Sequence, residues 1–146
     1  LVGFPARHHS RFGSNLFYNS NKTCQLSMIL TGAAFIHKSY FYSYTHDMPA
    51  AIREHVDKVT NCEDIAMNFL IAHLTREPPL KTTGRWTMTC ENCTESLWSD
   101  DDHFNERNEC IRLFVKIYGY NPLRYSQYRA DSILFKTLVP RNMQRL

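Results

Sequence analysis

The residues from Ile65 to Leu74 carry apolar side chains nearly all the way round a helical wheel: Ile65, Ala66, Phe69 and Leu70 on one side, Met67, Ile71 and Leu74 on another. Such a helix has no solvent face to offer, so it must lie inside the molecule with other elements packed around it. In front of it stands Asn61-Cys62-Glu63-Asp64. Asn61 is a favourable N-cap, and Asp64 falls three residues later, where its side chain can answer the cap. Glu63 and Asp64 then read as first-turn acids that complement the helix dipole. The same four residues also read as a polar cluster at the mouth of a buried helix, where acids often line a substrate site. Spacing alone leaves both readings open.

The 146 residues suffice for one domain, and 43% hydrophobic content with 13% aromatics marks a globular chain. The net charge of +3 comes without any run of Lys and Arg, so no nucleic-acid partner is expected, although an anionic ligand would be electrostatically welcome. No stretch approaches ~18 consecutive apolar residues, so no membrane-spanning helix is expected. The chain opens on Leu1-Val2-Gly3-Phe4-Pro5 without an initiator Met and reads as a piece of a longer protein, with any signal or anchor upstream. Five cysteines and the acceptor sequons Asn21-Lys22-Thr23 and Asn92-Cys93-Thr94 point to an oxidising lumen, with Asn21 and Asn92 as glycosylation positions. The odd cysteine count leaves one thiol free or bridged elsewhere.

Along the chain, Leu1 to Phe4 reads as a strand stopped by Pro5, followed by a loop carrying Arg7, His8, His9 and Arg11. Residues 12–25, rich in Asn and Ser, read as loop. Leu26 to Leu30 reads as a buried strand, Thr31 to Phe35 as a tight small-residue crossing, and the aromatic stretch His37 to Thr45 as core packing. Asp47 and Pro49 signal a helix over 49–59, with Ile52, Val56 and Val59 at helical spacing. The Asn61 helix runs until Pro78-Pro79. Leu80 to Met88 reads as a strand and Cys90 to Asp100 as irregular. Asp102 then caps a helix with a buried stripe of Phe104, Ile111, Val115 and Tyr118 and a second stripe of His103, Arg107, Cys110 and Phe114; Gly119 and Pro122 end it. In the tail, Ile133-Leu134-Phe135 should dock on the core. Without repeats or linkers, residues 1–146 form one unit.

Cys90-Glu91-Asn92-Cys93, with His103 and Cys110 beyond, resembles half a zinc site, but the second half is poor and lumenal redox conditions favour a local disulfide. Asp100-Asp101-Asp102 suggests an Asp-x-Asp metal motif. It precedes a helix with no apolar strand before it, so a solvated capping cluster is the better reading. There is no Gly-rich phosphate loop and no Ser/His/Asp arrangement.

Four stretches carry a family resemblance: LVGFPAR at the start, SMILTGAAFIHKSY, NCEDIAMNFL, and YGYNPLRYSQYRADSILFK near the end. Together they resemble, in order and over almost the whole chain, the carboxy-terminal domain of the exostosin family, heparan sulfate N-acetylglucosaminyltransferases of glycosyltransferase family 64. CENC, RWTMTC and the cysteine of NKTCQLSM set the chain nearest the exostosin-like members. The resemblance implies the C-terminal portion of a GT-A (Rossmann-like) α/β glycosyltransferase domain that uses a UDP-sugar with manganese and retains the anomeric configuration. It implies that Asp64 faces the donor sugar near its anomeric centre. Arg107, in HFNERNEC, would reach the donor phosphates, and Asn61 and Glu63 would contact sugar. The Asp-x-Asp motif that holds manganese and most of the uridine pocket would lie upstream of Leu1, so residues 1–146 alone are expected to be inactive. The implied donor is UDP-N-acetylglucosamine and the acceptor a heparan sulfate precursor glycan on a core protein. Implied partners are other exostosin-family subunits or a second copy of the protein. The implied location is the lumen of the endoplasmic reticulum or Golgi, with an anchor outside this chain. A non-catalytic, glycan-binding or stabilising subunit of a polymerase complex is the competing class.

With Asp64 and Arg107 so assigned, a Cys62–Cys110 bridge is expected to hold the two functional elements together, since each cysteine lies beside one of these residues. Cys90 and Cys93 would then bridge locally and leave Cys24 free or paired outside the chain.

Overall fold

A computed structural model describes residues 1–21, 23–83 and 101–131, the side chains of Asp101 and Asp131 excepted. The Cys90–Cys93 bridge, the Asn92 sequon, Asp100, the strand beyond Thr83 and the 133–135 patch all lie outside the described residues. The strands are β1 (Val2–Gly3), β2 (Ala6–Phe12), β3 (Asn15–Asn19), β4 (Met28–Ile29), β5 (Ala34–Phe35), β6 (Leu80–Thr83) and β7 (Arg129–Asp131). The helices are α1 (Ser39–His46), α2 (Ala50–Val59), α3 (Glu63–Thr75) and α4 (Asp101–Tyr118). One mixed sheet has the order β5-β1-β6-β7, with β1, β6 and β7 parallel and β5 antiparallel at the edge. A smaller antiparallel sheet has the order β3-β2-β4. Parallel strands need crossovers, and α1 to α3 supply the one between β1 and β6. The fold is therefore mixed α/β, as the sequence predicts.

As its composition requires, α3 is the buried centre: every residue from Asp64 to Ala72 is buried. Phe69 meets Phe114 of α4 edge to face, with ring centroids 5.6 Å apart, while Ile52 and Val56 of α2 and Met28 of β4 close the same core. Asn68 is the polar exception on this helix. Its carboxamide accepts from the Ile29 N–H at 3.0 Å and donates to the Ile29 carbonyl at 2.8 Å, standing in for a strand partner and docking α3 on β4. It also donates to the Asp64 carbonyl at 2.7 Å. Burying an amide this deep is tolerable because its hydrogen bonds are satisfied.

The N-terminal end of α3 differs from the capping expectation. Cys62, not Asn61, is the residue before the helix, and it sits in the left-handed region with φ 76° and no side-chain cap. Thr60 is left-handed too, at φ 51°. Two non-glycine residues in that region cost ~1–2 kcal/mol each, so something outside the loop holds them. The Cys62–Cys110 disulfide does so in part, with Cα atoms 6.5 Å apart. Cys24 is exposed and has no disulfide partner among the described residues.

Further expectations are corrected. The segment with Arg7, His8, His9 and Arg11 is not a loop but β2, and part of the 12–25 loop is β3; they pair from His8↔Asn19 to Phe12↔Asn15. Gly13, at φ 61°, makes the tight turn. Asp102 lies inside α4 rather than capping it. Of the two α4 stripes, Ile111 of the first and Arg107, Cys110 and Phe114 of the second are buried, whereas Phe104, Val115, Tyr118 and His103 are only partly so. The aromatic stretch forms α1, where Tyr40 and Tyr44 pack on the core but Phe41 and Tyr42 are exposed. Among the described residues no helix is long and apolar enough to cross a membrane.

Candidate active site

Asp64 and Arg107 come from the first turn of α3 and the middle of α4, brought together by the disulfide one helical turn away. Arg107 Nη2 lies 2.6 Å from Asp64 Oδ2, and both side chains are almost fully buried, 6% and 7% exposed. The other Asp64 oxygen accepts the Ile65 N–H at 2.7 Å. Asp64 therefore does serve the helix start, but through the adjacent amide rather than back to Asn61. The Arg107 Nη1 donates to Asn61 Oδ1 at 3.2 Å. The guanidinium lies over the Tyr18 ring, 4.2 Å from its centroid, a contact worth ~2 kcal/mol when desolvated. Arg107 Nε finds no partner among the described residues. Burial works against the Arg107 charge, but Asp64, with help from Tyr18 and Glu63, outweighs it and holds the pKa above its ordinary value.

Asn61 is buried and joins both elements. Besides Arg107, its Oδ1 accepts the Cys62 N–H at 2.8 Å, and its Nδ2 donates to Glu106 Oε2 at 2.9 Å and His103 Nδ1 at 3.1 Å. Glu63 is the one expected site residue that does not join the cluster. It begins α3 with its side chain in solvent, close enough to act electrostatically on Arg107 and on Tyr44, whose hydroxyl is pushed up to about 12 by burial first and by Glu63 second.

Sequence reasoning missed Tyr18 and Glu106. Tyr18 had a signal, since Gly13-Ser14 between two runs is a hairpin turn pattern that would have paired Tyr18 with His9. Glu106, half-buried on α4, had none. Asn21 is exposed just beyond β3, where a glycan could be carried. The arrangement pairs a fixed, desolvated cation with a carboxylate across the junction of two helices. Such a pair can stabilise anionic charge at one end of a scissile bond and cationic character at the other. Among the described residues no three His, Cys, Asp or Glu side chains converge on a metal position, so these residues do not fit a manganese centre.

Residues 1–135 match the glycosyl transferase family 64 domain model. The chain is 68% identical over 145 residues to an exostosin-like-3 homolog of Caenorhabditis elegans, covering 99% of this chain and 18% of the relative. It is 44% identical over 149 residues to exostosin-1 of Bos taurus, covering 95% of the chain and 19% of the relative. To exostosin-2 of Bos taurus it is 43% identical over 148 residues, covering 99% and 21%. The chain thus spans about a fifth of the length of these relatives. With the motifs, the mixed α/β fold and a family match over nearly its whole length, the chain belongs to the glycosyltransferase family 64 domain family.

Proposed function

We propose that this chain is the C-terminal portion of a GT-A, Rossmann-like domain in a retaining glycosyltransferase of heparan sulfate synthesis. In the full-length protein it would transfer α-linked N-acetylglucosamine from UDP-N-acetylglucosamine to the linkage region or growing chain on a core protein. The observation that carries this reading is the buried Asp64–Arg107 pair. Desolvating two charges costs several kcal/mol per ion, and apolar residues of similar volume usually pack at least as well, so stability alone does not account for the pair. Perturbed, buried charge pairs concentrate where chemistry needs them.

In this reading Arg107 stabilises the negative charge that develops on phosphate as UDP departs. Asp64 stabilises the oxocarbenium character of the anomeric carbon, by analogy with the carboxylates of glycoside hydrolysis. Asn61 and Glu63 contact sugar, Glu63 from the solvent side. Manganese, which would neutralise diphosphate charge, we assign to ligands outside this chain, and no step here runs through it. We further assign the protein to the lumen of the endoplasmic reticulum or Golgi, with an anchor outside this chain, glycans at Asn21 and Asn92, and assembly with other exostosin-family subunits or a second copy.

The test is product analysis with the full-length protein, UDP-N-acetylglucosamine and a glucuronate-terminated acceptor. The expected product carries one added hexosamine whose anomeric proton coupling in NMR is that of an α linkage. A β linkage, or transfer of a different sugar in preference, would overturn the reading. Binding of the acceptor with no transfer from any UDP-sugar would put the non-catalytic subunit in its place.

A further inference from the structure

We infer that Glu106 is a positioning residue of this site, holding the Asn61 carboxamide, and through it the Arg107 guanidinium, in the one orientation that serves the reaction proposed above, a reading on which the kinetic part of this inference rests. Asn61 sits in a backbone that does not hold itself, since the residues on either side, Thr60 and Cys62, are both left-handed. Its Oδ1 meets only donors, the Cys62 N–H at 2.8 Å and Arg107 Nη1 at 3.2 Å. A flipped amide would set NH2 against both, so oxygen and nitrogen are assigned by their partners. The Nδ2 group must then find acceptors on the α4 side. It has Glu106 Oε2 at 2.9 Å and His103 Nδ1 at 3.1 Å, with the His103 carbonyl behind at 3.4 Å. In the tautomer with its proton on Nε2, His103 Nδ1 is a second acceptor for this amide.

Glu106 makes the shortest of these contacts, and it lies on the helix that carries Arg107. Its carboxylate fixes one end of the amide and the amide oxygen fixes the guanidinium at the other, so α4 clamps the α2–α3 junction at both its side chain and its disulfide. Nothing in this geometry requires Glu106 to exchange a proton. It requires an acceptor oxygen at that place, which a glutamine also supplies.

The experiment compares Glu106→Ala and Glu106→Gln in the full-length protein by donor kinetics and by amide hydrogen exchange of the peptide spanning Thr60 to Glu63. Glu106→Ala is expected to lower kcat/KM for the UDP-sugar roughly tenfold or more, as a small misplacement of a charge-bearing group does. Exchange at the Cys62 amide, which Asn61 Oδ1 now protects, should quicken. Glu106→Gln is expected to return both readouts to within about threefold of wild type, since its side-chain oxygen keeps the acceptor. A Gln variant as impaired in turnover as the Ala variant, with exchange restored, would make Glu106 a group acting by charge and overturn the positioning role. Unchanged turnover and exchange in both variants would overturn it as well. If the wild-type protein transfers no sugar, the proposed function fails on its own, and the contrast in Cys62 exchange between Ala and Gln still decides the clamp.

Discussion

Asp64 shows how far burial can change the meaning of a residue whose position in sequence is ordinary. As a first-turn acid its replacement by Asn would cost ~1 kcal/mol or less. As the buried partner of Arg107, its loss leaves a desolvated guanidinium uncompensated, and Asp64→Asn should cost ~3–5 kcal/mol in urea unfolding. A cost under about 1 kcal/mol would return Asp64 to the capping role. Spacing alone could not decide this, because the partner lies 43 residues away on another helix. His9 makes the same point with a sign that can be checked. It is buried, stacked on Tyr125 at 4.3 Å, with Nδ1 2.8 Å from Ser27 Oγ and Nε2 accepting from Asn121 Nδ2 at 3.1 Å. Burial, then the neighbouring His8, lowers its pKa to about 4. The folded state thus holds His9 neutral while the unfolded chain takes up a proton below ~6.5, so its contribution is complete above that pH and lost as pH falls toward about 4. The loss is on the order of 2–3 kcal/mol. Unfolding free energies at pH 7 and pH 4 should therefore differ less in His9→Gln than in wild type. Equal differences in the two proteins would show that His9 is not the group responsible.

At the scale of elements, α2, α3 and α4 were legible because hydrophobic period and Pro and Gly punctuation report directly on a buried helix face; Gly119, at φ 75°, ends α4 as expected. The β2–β3 hairpin was missed despite the Gly13-Ser14 turn signal, because its strands are largely polar and its buried cross-strand pair, His9 and Tyr18, does not read as apolar. Strand β1 was legible as a strand but not as a constraint. A Cβ on Gly3 would lie 2.5 Å from Ile29 Cγ2 and 2.7 Å from the Ala33 carbonyl oxygen, so β1 fits between β5 and β6 only without a side chain. Gly3→Ala should cost ~1–3 kcal/mol in thermal or urea unfolding, and a neutral effect would mean that β4 yields more easily than its burial suggests. The disulfide was legible once Asp64 and Arg107 were assigned to one site. It closes a loop of 48 residues between α3 and α4, and joint replacement of Cys62 and Cys110 by Ala should cost ~4 kcal/mol in the chain-entropy account, together with transfer activity. Cys24→Ala should cost little of either. A free Cys62 thiol in non-reducing peptide mapping of the full-length protein would contradict the pairing.

For the whole molecule, the division of labour follows from what one chain of this length can bury. A mixed sheet and a helical core fix one cation and one carboxylate at the junction of α3 and α4, and the described residues offer no metal cluster beside them. The family was legible from motif order, whereas the clamp around Asn61 was not, since Glu106 and His103 meet it only through the tertiary packing of α4 on the α2–α3 junction. The central claim is that the Asp64–Arg107 pair acts on substrate and does not merely hold two helices together. The most direct measurement is transfer from UDP-N-acetylglucosamine by full-length Asp64→Asn protein, expressed per folded molecule with the folded fraction taken from near-UV circular dichroism. Turnover is expected to fall by ~100-fold or more beyond any loss of folded protein, the scale of removing a preorganised charge from a transition state. Wild-type turnover per folded molecule would contradict it and leave the pair as a structural bridge alone.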